Sequence, residues 1–261
     1  MTKLTAVKGK REEPAVRREV PAVRRACSVL WLLARHAEGL PLARIARELE
    51  IIPSTCLQIL RELAAARFVS HDPGSKRYRL GGGVLSLGLE LTQQNPFVQA
   101  AQPHLNRLSR EFGVGASGQE RDAEDDLLVV LASSVIPGDL VSAGARRPLF
   151  TSASGRLMAA FGNFTETELR RGFSRVEWQT PPTWTQWLGE VAAARQQGYA
   201  TDEAHFRKGL TAIAAPVANS VGRVDRAISV TAISAQLDPA RRKKLVAELK
   251  RCAAEISQAL R

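Results

Sequence analysis

Residues 42–80 read LARIARELEIIPSTCLQILRELAAARFVSHDPGSKRYRL, and the order of patterns in that stretch decides the fold. Leu42, Ile45, Ala46 and Leu49 recur at i, i+3, i+4 and i+7, the spacing of a short amphipathic helix. Glu50-Ile51-Ile52-Pro53 breaks it, and Ser54 is then an N-cap candidate for another helix, with Cys56, Ile59, Leu60 and Leu63 as its buried stripe. Ser54, Gln58 and Arg61 fall on the opposite side, flanked by Thr55, Leu57 and Glu62. After Arg67 the texture changes. Phe68–His71 is strand-like, Asp72-Pro73-Gly74-Ser75 is a turn, and residues 76–80 alternate, with Tyr78 and Leu80 inward and Lys76, Arg77 and Arg79 outward. Upstream, Ala26, Val29, Leu30, Leu33 and Ala34 mark a further helix ended by Gly39. Helix, helix, helix, hairpin over residues 21–80 is the order of a winged helix-turn-helix.

Charge points the same way. The chain has 261 residues and a formal net charge of +11. Residues 1–80 hold 16 basic and 8 acidic side chains, and the remaining 181 hold 21 and 18. A localised basic excess is what a polyanion-binding module needs, because phosphate neutralisation drives its affinity. Residues 1–20, polar and aperiodic, read as a disordered basic arm that would also serve as a solubilising tail. At 44% apolar and 24% charged the chain has the composition of a globular protein. No run approaches the ~20 apolar residues of a membrane span, and the basic N-terminus lacks the apolar core of a secretory signal. Cys27, Cys56 and Cys252 are odd in number and far apart, so they read as buried thiols in a reducing cytoplasm.

Base recognition requires a helix with one face packed on its module and the other reaching into the major groove. In that role Gln58 would pair with an adenine edge, Arg61 with guanine or phosphate, and Leu57 with a thymine methyl. Ser54 and Thr55 would meet phosphate at the helix N-terminus, Lys76, Arg77 and Arg79 the backbone or minor groove, and Arg25 counts among the DNA-binding residues. A plain helical bundle with a solvated face has the same periodicity; module order and local charge together favour double-stranded DNA.

Gly81-Gly82-Gly83 is a joint, and helical patterns over 84–91 and 97–112 read as linker and dimerisation helices, which makes 81–112 a segment of its own. From 113 to 261 short strands and helices mix, as in an α+β domain. Strands are expected at 116–119, 127–133, 140–145, 199–204, 210–216 and 227–233, and helices at 155–161, 166–171 and 184–197. A last helix carries Asp238 as N-cap, Pro239 as first residue, and Leu245, Leu249, Cys252, Ile256 and Leu260 as its stripe. Gly113-Val114-Gly115-Ala116-Ser117-Gly118 fits G-x-G-x-x-G, but a helix precedes it and a hairpin with an acidic turn follows, the reverse of a dinucleotide site. Gly113 reads instead as a helix C-cap. Ser154 lacks a nucleophile elbow and a nearby His–acid pair, and the four histidines lack metal-ligand spacing, so no catalytic residue, metal or cofactor is assigned. Trp178, Trp184 and Trp187 read as a hydrophobic cluster.

Residues 21–261 resemble the IclR family of bacterial transcriptional regulators. The likeness rests on Ala22-Val23-Arg24-Arg25-Ala26, Ser54-Thr55, Asp72-Pro73 with Tyr78-Arg79-Leu80-Gly81, Arg147-Pro148-Leu149 with Ser152-Ala153-Ser154-Gly155-Arg156, Gly198-Tyr199-Ala200-Thr201-Asp202-Glu203, Gly209-Leu210, Ala214-Ala215-Pro216-Val217 and Ser229-Val230-Thr231. The chain departs from the family pattern at Pro53, Gln58 and Arg156, where Lys, Arg and Lys are common. The resemblance implies a C-terminal GAF-like domain holding a small effector, often a carboxylate, lined by Ala153, Ser154, Asp202, Ala212, Ser229 and Thr231. Ser229 and Thr231 stand two apart on a strand and so share a face, although hydroxyls there also suit ordinary strand polarity. Ser154-Gly155 ahead of a helix would present N–H groups to a carboxylate.

The expected protein is therefore a ligand-responsive DNA-binding transcriptional regulator, a homodimer or homotetramer on a pseudo-palindromic operator. The competing classes are an enzyme with a nucleic-acid-binding appendage and a DNA-binding protein whose second domain only oligomerises.

Overall fold

The computed structural model describes residues 20–122, 125–134 and 142–261. Almost all of the expected arm at 1–20 and the first part of the strand expected at 140–145 lie outside these residues. Two compact units divide after Glu90.

The first unit runs α1 (Pro21–Ala34), β1 (Leu40–Pro41), α2 (Leu42–Glu48), α3 (Pro53–Ala65), β2 (Val69–Asp72) and β3 (Arg77–Leu80). The connection between α2 and α3 is made by Glu50, held at φ 53°, and by Ile51, whose N–H donates to the Ala46 carbonyl (2.9 Å). That left-handed residue reverses the chain after α2 and drops Ile51 into the core. Helix α3 begins two residues earlier than a Ser54 cap would place it. Pro53 occupies its first turn, where a missing N–H costs nothing, and Ile52 is the cap residue, so Ser54 is inside the helix and is not its N-cap. Val29, Leu33, Ile45, Cys56, Leu60 and Leu63 from the three helices meet in one core. The hairpin pairs Val69 with Leu80 and Asp72 with Arg77. The short β1, which sequence pattern did not indicate, pairs with the other edge of β3, giving the order β1-β3-β2. Gly39 permits this approach: its φ is +72° and a Cβ would stand 2.7 Å from the Tyr78 carbonyl oxygen.

Helix α4 (Gly82–Gln94) follows. The second unit contains α5 (Pro96–Phe112), β4 (Gly115–Arg121), β5 (Asp126–Ser134), β6 (Arg146–Pro148), α6 (Ser152–Phe161), α7 (Glu166–Ser174), α8 (Trp184–Gln197), β7 (Ala200–Glu203), β8 (Leu210–Ala218), β9 (Val224–Ile233) and α9 (Pro239–Ala259). Its six strands form an antiparallel sheet in the order β6-β5-β4-β9-β8-β7. Residues 142–145 form a turn, and the strand expected there lies further on, at Arg146–Pro148.

Strand alternation sorts the sheet into two faces. Ile213, Ala215 and Val217 of β8 and Ile228 and Val230 of β9 pack on α5 and α9. Ala214 and Ala227 face the other way, into a core with α6 and α8. Helix α5 is thus built into the second unit through Phe97, Ala101, Leu105 and Leu108, and does not serve as a linker. Asp238 caps α9 by accepting from the Arg241 N–H (2.9 Å), and Gly113 closes α5 in the left-handed conformation (φ 55°), both as expected. Gly118 has no side chain because a Cβ would collide with Leu131 and Phe97, a packing role that a nucleotide loop would not require. The tryptophans do form a cluster: Trp184 stacks on Trp187 at 5.4 Å and Phe173 touches all three indoles.

Candidate functional site

Two surfaces carry the chemistry, one in each unit. In the first, α3 shows its Cys56–Leu60–Leu63 stripe to the core and exposes Ser54, Gln58 and Arg61 on the opposite face. Thr55 and Leu57 are half-buried beside them. Arg25 on α1 and Lys76, Arg77 and Arg79 on the hairpin are exposed. Asp72 closes the wing turn: it accepts from the Ser75 hydroxyl (2.5 Å) and the Gly74 N–H (3.0 Å), which together hold its carboxyl below the usual carboxylate range. Arg79 lies 3.6 Å from the same carboxylate, and Arg77 donates to the Gly39 carbonyl (3.0 Å). Lys76, at φ 55° on the tip, has no such tie among the described residues. Of the three expected wing cations, Lys76 is therefore the one wholly available to a partner.

In the second unit a small cavity of about 50 Å³ opens between the sheet and the start of α6. Register explains who lines it. Ser117 pairs with Ser229 across β4 and β9, and Ala212 with Thr231 across β8 and β9, so all four stand on one face. Ser154 reaches the cavity from the first turn of α6. Four of the expected ligand residues thus share one cavity. Ser117, Gln119, Arg147 and Thr151 line it as well, and sequence reasoning missed them. The alternation of Ser117 and Gln119 in the buried part of β4 was the available signal for two of them.

The polar floor is a closed network. Gln119 donates from Nε2 to the hydroxyls of Ser117 (2.6 Å) and Ser229 (2.8 Å), and accepts at Oε1 from Ser154 (3.0 Å). The Ser117 and Ser229 oxygens are 3.1 Å apart. Since only one of these two hydroxyls donates to the other, one hydrogen stays without a protein partner. Thr151 Oγ1 is also buried and unpartnered.

Two expectations need correction. Ala153 is wholly buried in the core behind the cavity. Asp202 borders an adjoining hollow, but its oxygens already serve the protein: Oδ2 accepts from Arg156 (2.8 Å), and Oδ1 from the N–H groups of His205 and Phe206 (3.1 Å each). Arg156, itself wholly buried, also donates to Glu190, the Ser152 carbonyl and His205 Nδ1. Arginine's forked donors satisfy this cluster in a way one ammonium would not. Asp202 is thus a positioning residue that pins α6 to β7. Ser154 and Gly155 also lie within α6, which starts at Ser152 and places its first-turn N–H groups beside Thr151. Cys56 and Cys252 are buried, which raises their thiol pKa, while Cys27 is exposed, against expectation.

The family model for the bacterial transcriptional regulator IclR C-terminal domain matches residues 90–258, and that for the IclR helix-turn-helix domain matches residues 22–73. The chain belongs to the IclR family. It is 27% identical to the DNA-binding transcriptional repressor YiaJ of Escherichia coli over 97% of this chain and 94% of that protein. It is 29% identical to the glycerol operon regulatory protein of Streptomyces griseus over 93% of this chain and 97% of that one. Among solved structures, the IclR transcriptional regulator from Alicyclobacillus acidocaldarius superposes with a TM-score of 0.81 at 28% identity, covering 93% of this chain and all of that one. This IclR-family protein is a DNA-binding transcriptional regulator with an N-terminal helix-turn-helix and a C-terminal α+β effector domain. Among the described residues no helix is long and apolar enough to cross a membrane.

Proposed function

We propose that this regulator binds a pseudo-palindromic operator as a homodimer or homotetramer and releases or engages it when a small, carboxylate-bearing metabolite enters the cavity of the second unit. The observation that carries the effector reading is the cavity itself: a small, hydroxyl-rich hollow with an incompletely satisfied polar wall. Buried polar groups are normally paired, and a ligand would pair these. The ligand leaves unchanged, since the Ser154 hydroxyl donates to an amide, which is no general base.

Assembly is supported by two facts. One recognition helix reads only a few base pairs, too few for a genomic site. Helix α4 also carries Leu85, Leu87, Leu89 and Leu91 at 52–69% exposure, more apolar surface than a helix usually leaves in water. The free cysteines suit the cytoplasm. The effector acts by binding one arrangement of the assembled protein better than another.

Selection of bound duplexes from a random library, with and without a metabolite extract, tests this reading. An inverted repeat with half-sites about one helical turn apart is expected, with its occupancy altered by the extract. Recovery of unrelated sequences, or occupancy indifferent to every extract, sinks it.

A further inference from the structure

The connection between α2 and α3 leaves an apolar side chain in water at a position where a polar one would fold better. Ile52 is 70% exposed, while its neighbour Ile51 is 7% exposed and packed in the core of the first unit. Local geometry forces this division. Glu50 at φ 53° and the bond from the Ile51 N–H to the Ala46 carbonyl commit Ile51 inward, and Ile52 is then turned away from that core. Its backbone sits at φ −57°, ψ 132°. Pro53 excludes the helical region for the residue before it, so Ile52 is held in that state.

Ile52 is also the cap of α3. A Ser, Thr, Asp or Asn in its place would accept from the first free N–H groups of the helix. Isoleucine accepts nothing, and α3 has no side-chain cap bond. One residue thus forgoes a cap and exposes a large apolar side chain, and packing within the first unit accounts for neither.

The partner of a helix-turn-helix explains both. Its recognition helix enters the major groove with its N-terminal residues on the base edges. The apolar group a base edge offers there is the C5-methyl of thymine. Leu57, first expected to meet such a methyl, is half-buried, whereas Ile52 stands clear at the leading end of the helix. Its exposed neighbours are Glu50, Pro53 and Ser54, so the apolar patch is too small for a protein interface and large enough for a methyl group.

We infer that Ile52 reads a base: its side chain packs on the C5-methyl of a thymine in each operator half-site, and Pro53 presents it there rigidly. This rests on the operator reading proposed above and adds a specificity determinant outside the face formed by Ser54, Gln58 and Arg61.

The test uses the full chain and duplexes that the wild-type protein selects from a random library. Each thymine of the selected site is replaced singly by deoxyuridine, which lacks only the methyl, and dissociation constants are read by fluorescence anisotropy. At one thymine per half-site the loss of the methyl should weaken wild type by about 3- to 10-fold, the scale of one buried methyl group. Ile52→Ala should bind the thymine and deoxyuridine forms of that position alike. Ile52→Ser separates recognition from folding. A serine hydroxyl can cap α3, so this variant should melt no lower than wild type while losing the same preference for thymine. Should Ile52→Ala not fold, Ile52→Ser decides. A deoxyuridine profile that is the same in wild type and variants overturns the inference, even where the variants bind every duplex more weakly. An Ile52→Ser variant that melts well below wild type overturns it as well, because the side chain then serves the fold. If wild type enriches a common site with no methyl-sensitive thymine, this inference alone fails; if it enriches no common site, the operator reading fails with it.

Discussion

Gln58 and Arg61 extend from α3 into solvent with the helix body locked behind them by Cys56 and Leu60. If they read base edges, Gln58→Ala and Arg61→Ala should each lose about 1–3 kcal/mol of discrimination at one position of the operator. A selection in which Gln58→Ala enriches the same site with the same tolerance removes that role from Gln58. In the cavity, Ser229→Ala should lower effector affinity by about 1–2 kcal/mol, read by calorimetry, because a polar partner is left unpaired. The Gln119 amide also loses an acceptor, so the ligand-free protein should melt lower as well, while its operator affinity without ligand stays at the wild-type value. Asp202 behaves otherwise. Asp202→Ala strips Arg156 of its buried partner and should destabilise the unit by about 3–5 kcal/mol in denaturant titration, whatever the effector. A full-stability Asp202→Ala variant that no longer responds to effector would restore Asp202 to direct ligand contact.

At the scale of elements, the hairpin shows how local chemistry sets a functional surface. The Asp72 turn and the bond from Arg77 to Gly39 fix the wing against the helices, and the left-handed Lys76 projects from its tip. Lys76→Ala should weaken all DNA sequences alike and flatten the salt dependence by about one phosphate contact, whereas Arg77→Ala should also loosen the wing. A Lys76→Ala variant with an unchanged salt slope would place the wing off the DNA. Helix α6 teaches a related lesson. Gly155 lets it close onto the backbone of Phe150, because any Cβ there would overlap the turn. That close approach brings Ser154 within reach of Gln119 and turns an alternating polar strand into a cavity floor.

At the scale of the molecule, the proposed assembly would use the exposed leucines of α4 as the seam between copies. Replacing Leu85 and Leu89 with Lys should shift the protein toward monomer in analytical ultracentrifugation at micromolar concentration and lower operator affinity, with the fold of each unit retained. A wild-type monomer at that concentration, binding one per operator, would contradict assembly through this surface. The apolar side chains of α5, by contrast, are already buried against the sheet and α9.

Periodicity and capping chemistry were readable from the chain alone wherever the signal was local. The Leu42–Leu49 repeat, the Asp72–Ser75 turn and the Asp238-Pro239 start of α9 each depend on neighbours within a few residues, and each lies where the sequence places it. The sharing of one face by Ser229 and Thr231 was likewise implicit in the two-residue period of a strand. What only tertiary structure decided depends on distant partners. Whether α5 links or packs turned on a sheet built mostly from residues far beyond it, and whether Asp202 meets a ligand or Arg156 turned on a side chain 46 positions away. Arg147 is the clearest case. In sequence it is one more arginine in a basic chain, and only folding half-buries it beside the Phe206 ring. Desolvation and pairing are properties of the folded surroundings, and a one-dimensional pattern does not contain them.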